Sequence, residues 1–163
     1  MRQDPWETLI TFILSQNSNI PRIKGMVLRL CEGFGTLLPN GGYTFPEAEA
    51  LVDADLSGIK SGYRVNYIKD AARRVAEGRL NLNELILMST DKLRASLLEI
   101  HGVGPKVADC VMLFGFGRVE CFPLDVWMKR VMEEYYPNGF PQKLLDTAGI
   151  AQQFLFHYIR TIN

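Results

Sequence analysis

The chain has 163 residues, 47% hydrophobic and 22% charged, with 18 basic and 18 acidic side chains and a formal net charge of zero. This length and balance fit about one domain with a real core and exclude a disordered chain; the neutral total lends no overall support to a nucleic-acid partner. Three cysteines, Cys31, Cys110 and Cys121, argue against a disulfide framework and against a four-thiolate iron–sulfur cluster. No apolar run reaches the roughly 18 residues of a membrane span, so no membrane partner is expected; the location expected is cytoplasmic (nucleoid-associated) if the source is prokaryotic, and the state expected is a monomer.

The charge is unevenly placed. Residues 58–80 carry Lys60, Arg64, Lys69, Arg73, Arg74 and Arg79 against Asp70 and Glu77, whereas residues 31–59 carry Glu32, Glu47, Glu49, Asp53 and Asp55 with no lysine or arginine. One basic face opposed by an acidic one is compatible with DNA on one side only.

In chain order, Asp4-Pro5 reads as a cap and first turn of a helix with Trp6, Leu9, Ile10 and Ile13 inward. A polar run, Ser15 to Asn19, ends it. Asn19-Ile20-Pro21 opens a second helix with Ile23, Val27, Leu30 and Phe34 inward, stopped by Gly33 and Gly35. Phe45-Pro46-Glu47 starts a short helix through Leu51. A glycine-bounded turn, Gly58 to Gly62, precedes a helix with Val65, Ile68, Ala72 and Val75 inward. Leu82 to Met88 is a brief helical piece, and Ser89-Thr90-Asp91 caps a helix with Leu93, Leu97, Leu98 and Ile100 on its apolar side. Residues 116–123 cross in extended form, and further helices cover about 125–135 and 146–162. No alternating pattern of useful length marks a strand, so the fold class is all-α.

The chain is organised around residues 99–110, EIHGVGPKVADC. Gly102 and Gly104 offer positive φ or close approach of a ligand, and Pro105 suits the first turn of a helix with Val107, Val111 and Phe114 at buried spacing. Freed backbone N–H groups and a helix N-terminus make an anion site. Lys106 lies in that first turn, where the positive end of the helix dipole disfavours a cation; a neutral amine is a nucleophile. Its plainer reading is a phosphate contact. Asp125, beyond Pro123, can exchange protons with the amine or cap its own helix. Tyr63, between Gly62 and Arg64, can wedge into a base stack or fold back into the core.

The string HGVGPKVADC followed by FPLDVW resembles the helix-hairpin-helix DNA glycosylases with the Gly-Pro-Asp pattern, and more narrowly the 8-oxoguanine DNA glycosylase branch. QDPWETLITFILSQNSNIPRI, SGYRVNYI and AQQFLF extend the resemblance over nearly the whole chain, residues 1–163, with the hairpin at about 99–110. The resemblance implies two helical lobes around a cleft, and a base-excision glycosylase and AP lyase that removes 8-oxoguanine from duplex DNA. It assigns Lys106 and Asp125 to catalysis. It puts His101, Gly102, Val103, Gly104 and Trp127 on the DNA backbone, and Cys110, Gln152 and Phe156 around the flipped base. Asn17, Arg22, Tyr63 and Arg64 fall at the wedge and opposite base.

The resemblance implies no cofactor, and no metal site is read. Two departures stand out: Ser18 replaces a second asparagine, and Trp127 a histidine of some relatives. The β-rich N-terminal region usual in the branch is expected to be absent. A glycosylase for another damaged base, or a non-catalytic DNA-binding fragment, are the alternatives.

Overall fold

The computed structural model describes residues 2–162, with side chains through Thr161. Among them eight α-helices form: α1 (Pro5–Ser15), α2 (Ile20–Phe34), α3 (Arg64–Ala76), α4 (Leu82–Leu85), α5 (Thr90–Leu98), α6 (Pro105–Phe114), α7 (Val126–Tyr135) and α8 (Ala148–Ile162). An isolated antiparallel bridge, Leu37 with Tyr43, is the extent of β pairing among the described residues. The all-α expectation holds. No helix is long and apolar enough to cross a membrane among the described residues.

Three of the expected caps form, while Ser89 sits at the start of α5 without a side-chain bond to its first turn. Asp4, Asn19 and Asp125 each accept a backbone N–H from the first turn of their helix, and Pro follows the first two caps directly or at the next position. The segment at Phe45–Glu47 is a correction: it stays irregular, and only Glu49–Leu51 winds, as one 3-10 turn. Pro46 is instead buried and its carbonyl accepts from the Trp6 indole at 2.9 Å. Leu98 is a second correction, 41% exposed, because at the end of α5 it falls off the Leu93–Leu97 stripe.

The main core gathers Trp6, Leu9, Ile10 and Ile13 of α1 with Ile68 and Ala72 of α3, Leu93 and Leu97 of α5, and Val107 and Val111 of α6. A smaller core, Met128, Val131 and Ile159, joins α7 to α8. Arg94 of α5 pairs with Asp109 of α6 and reaches the Cys121 sulfur at 3.8 Å, which pins the crossing segment 116–123 to the helices behind the hairpin. The chain therefore builds two apolar bodies, and α6 faces the junction between them.

Candidate active site

Residues 99–104 turn tightly between α5 and α6. The Val103 N–H donates to the Ile100 carbonyl at 3.0 Å, and Gly102 takes φ +84°. Neighbours hold this turn from outside. Gln16 Nε2 donates to the Gly102 carbonyl at 3.1 Å, and the His101 N–H donates to the Asp70 carboxylate at 2.9 Å. The Tyr67 ring covers Gly102 and meets the His101 ring edge-on at 4.8 Å between centroids. Gly104 does not take positive φ: its backbone is extended, with φ −93°, and a Cβ there would meet nothing within 4 Å, which leaves room for a ligand to approach. That open space borders the N-terminal turn of α6, whose unpaired N–H groups favour an anion. Val103 is buried, so its side chain supports the turn from inside.

Lys106 and Asp125 come together. Both line a cavity of about 230 Å³ walled by Phe12, Cys110, Gln152 and Phe156. Both also line an open groove of about 430 Å³ that runs past Gln16, Asn17 and Gly104. The cavity is smaller than the roughly 300–1,000 Å³ of drug-sized sites, which suits a single planar ring system. The Lys106 ammonium stands 5.6 Å from the centroid of the Phe12 ring. No ion pair joins it to Asp125 among the described residues, and the Asp125 carboxylate accepts the Met128 N–H at 2.8 Å as the cap of α7. Hollows of about 470 and 490 Å³ elsewhere on the surface contain none of the predicted chemical residues, so size alone does not find the site.

Cys110, one turn after Lys106, is buried; burial pushes its thiol up to about 11, against the pull of the nearby Lys106 charge. It meets the cavity as a neutral apolar group. Gln152 is buried too, and its amide is engaged by the chain itself: Nε2 donates to the Pro123 carbonyl at 3.2 Å and Oε1 accepts from Gln153. Phe156 is half-buried on the opposite wall.

The predicted wedge residues separate into two groups. Asn17, at φ 44°, and Tyr63 are exposed, and the Asn17 amide donates to the Tyr63 hydroxyl at 3.3 Å. Arg22 is exposed on the first turn of α2. Arg64 is a correction: it is 2% exposed, and its guanidinium donates to the carbonyls of Ser61, Gln16 and Asn17. It ties the two turns together from beneath. Trp127 is half-buried. It packs against the smaller core with Arg130 over its ring at 5.4 Å, and lines neither cavity nor groove. Two residues after Asp125 on a helix is the opposite side from it; Lys129, four after, shares its face and lines the groove.

The basic surplus of residues 58–80 also shrinks in three dimensions. Arg64 is internal, Arg74 pairs with Asp70, and Arg79 pairs with Glu77. Tyr67, Asp70 and Lys129 are the site residues that sequence reading passed over. Helical spacing was the available signal, since Tyr67 and Asp70 fall four and seven places after Tyr63 on one α3 stripe. Among the described residues no His, Cys, Asp and Glu cluster could hold a metal ion, and the three cysteines are unpaired.

The fold and site thus define an all-helical protein with a glycine hairpin, and with a lysine and a carboxylate at the mouth of a cavity. The chain belongs to the HhH-GPD superfamily of base excision DNA repair proteins, whose family model matches residues 10–144. It is 38% identical over 154 residues to an N-glycosylase/DNA lyase of Saccharomyces cerevisiae, covering 83% of this chain and 41% of the yeast protein. It is 32% identical over 195 aligned positions to a probable N-glycosylase/DNA lyase of Methanothermobacter thermautotrophicus, covering 98% of this chain and 62% of that one. The structure of MBOgg1 with a low-affinity DNA ligand superposes with a TM-score of 0.90 at 44% identity, over 99% of this chain and 62% of that one. The Clostridium acetobutylicum 8-oxoguanine glycosylase/lyase, bound to double-stranded DNA with cytosine opposite 8-oxoG, superposes with a TM-score of 0.88 at 34% identity, over 100% of this chain and 62% of that one. The chain spans between 41% and 62% of the length of these relatives.

Proposed function

We propose that this chain is the core of a bifunctional glycosylase and AP lyase that removes 8-oxoguanine from duplex DNA as a monomer. The observation that carries the reading is the position of Lys106 and Asp125 on the wall shared by a ring-sized cavity and an open groove. The likeness to the Clostridium enzyme supports the choice of lesion.

The chemistry follows from the parts. Duplex DNA lies along the groove with its backbone at the open space beside Gly104, and the damaged nucleotide turns out into the cavity. Cys110 and Phe156 flank the base, and Gln152 stands at its edge. Tyr63 and Asn17, already joined by a hydrogen bond, fill the vacated stack, while Arg22 faces the partner base. The Lys106 amine nitrogen attacks C1′; the bond from C1′ to the base breaks, its electron pair leaves with the base, and the base takes up a proton. Asp125 stabilises positive charge developing on the sugar and receives the proton that the attacking nitrogen loses. Opening of the sugar ring gives an imine between C1′ and Lys106. Loss of a proton from C2′ then expels the 3′ phosphate and cuts the strand.

The test is borohydride reduction during turnover of a duplex with 8-oxoguanine opposite cytosine. A covalent protein–DNA complex is expected with the unaltered chain and none with Lys106→Gln. Binding to an abasic duplex without base release or strand cleavage would instead favour a non-catalytic DNA-binding role, and trapping only on other lesions would move the substrate.

A further inference from the structure

We propose that Lys129 is a contact to the phosphate backbone of the DNA strand carrying the damaged nucleotide, resting on the reading of the groove given above. Three observations meet at this residue. Lys129 shares the α7 face of Asp125 and lines the same groove as Lys106 and Gly104. No ion pair engages it among the described residues, although Asp125 and Glu133 each lie one turn away on the same helix. And Trp127, the α7 side chain that the family resemblance places on the backbone, packs half-buried against the smaller core and does not line this groove.

The electrostatics favour an extended anion. The groove's side chains include two lysines and one carboxylate, and that carboxylate already accepts a backbone N–H as the α7 cap. The N-terminal ends of α6 and α7 both open on it, each adding partial positive charge. A strand that sends one nucleotide into the cavity past Lys106 must carry its flanking phosphates along this wall. Lys129 also borders an apolar hollow lined by Phe122, Met132 and Phe140, so its methylene stem can lie on apolar surface with the ammonium toward the groove.

The test is equilibrium binding of the full chain to a duplex with a tetrahydrofuran abasic analogue, across a salt series. Such binding requires no Lys106 chemistry, so failure of borohydride trapping leaves this result interpretable. Lys129→Ala is expected to bind severalfold more weakly and to lower the slope of log K against log salt by about 0.9, one phosphate contact. Lys129→Arg is expected to restore the slope. Lys92→Ala, which removes an equal charge from an exposed α5 position outside the groove lining, is expected to keep it. An unchanged slope in Lys129→Ala, an equal loss in Lys92→Ala, or no measurable binding by the unaltered chain each overturns the assignment. Lys129 is exposed, so the variant is expected to keep its urea midpoint.

Discussion

Tyr67 lies so close over Gly102 that a Cβ on the glycine would stand 2.3 Å from the ring's Cγ and Cδ2. One contact thus joins α3, which presents Tyr63, to the hairpin that presents Lys106. Gly102→Ala meets both this ring and the strain of φ +84°. The strain alone costs about 1–2 kcal/mol, and the ring must move as well. Urea unfolding is expected to show a loss of at least that size. Gly104→Ala, with extended backbone and open space, is expected to cost only the roughly 0.5–1 kcal/mol of putting alanine for glycine at the α6 cap while weakening DNA binding, since its methyl occupies the approach to the α6 N-terminus.

Asp125 has two roles that substitution can separate. Asparagine caps helices about as well as aspartate, whereas alanine costs about 1 kcal/mol. Asp125→Asn is therefore expected to keep the urea midpoint and lose most base release in single-turnover assays. Asp125→Ala is expected to lose both. Full activity in Asp125→Asn would leave the carboxylate as a cap alone.

Arg64 is a structural residue. Truncation strands the buried Ser61 carbonyl and removes the bonds to the part-buried carbonyls of Gln16 and Asn17. Arg64→Ala is expected to cost about 1–3 kcal/mol per the usual penalty for an unsatisfied buried group, read as a lowered urea midpoint with unchanged slope.

Acid should loosen the hairpin through Asp70. Burial pushes its carboxyl up, but the His101 N–H and the Arg74 guanidinium outweigh this and hold it below the ordinary carboxylate value. A lowered folded value stabilises fully above the unfolded value of about 3.9 and is lost as pH falls through the folded one. Asp70→Asn is expected to flatten the acid dependence of stability below about pH 4 and to speed amide exchange at His101.

Cys110 is expected to remain a thiol at neutral pH, since burial pushes it up to about 11. Alkylation by iodoacetamide at pH 8 should be far slower in the folded chain than in urea. Fast alkylation in the folded state would contradict its placement in the cavity wall.

Helix caps, the inner stripe of α1 and the hairpin were legible because each rests on local chemistry: Asp4-Pro5, the Leu9–Ile13 spacing, two glycines before a proline. The pairing of Lys106 with Asp125 stood beside a plain helix cap until the resemblance favoured it, since nothing local says that two helix starts share a cavity. The surroundings of Arg64 and Trp127 were not legible for a common reason. A side chain's direction depends on what lies across from it, here three carbonyls for Arg64 and the Met128–Ile159 core for Trp127. Tyr67 was passed over because its partner, Gly102, is remote in sequence.

The most direct measurement is to reduce the imine with borohydride on an 8-oxoguanine duplex, digest the trapped complex, and locate the modified residue by mass spectrometry. The adduct is expected on Lys106 alone. An adduct on another lysine or on the N-terminal amine, or none on a duplex whose base is nonetheless released, would contradict the assignment of Lys106 as the nucleophile.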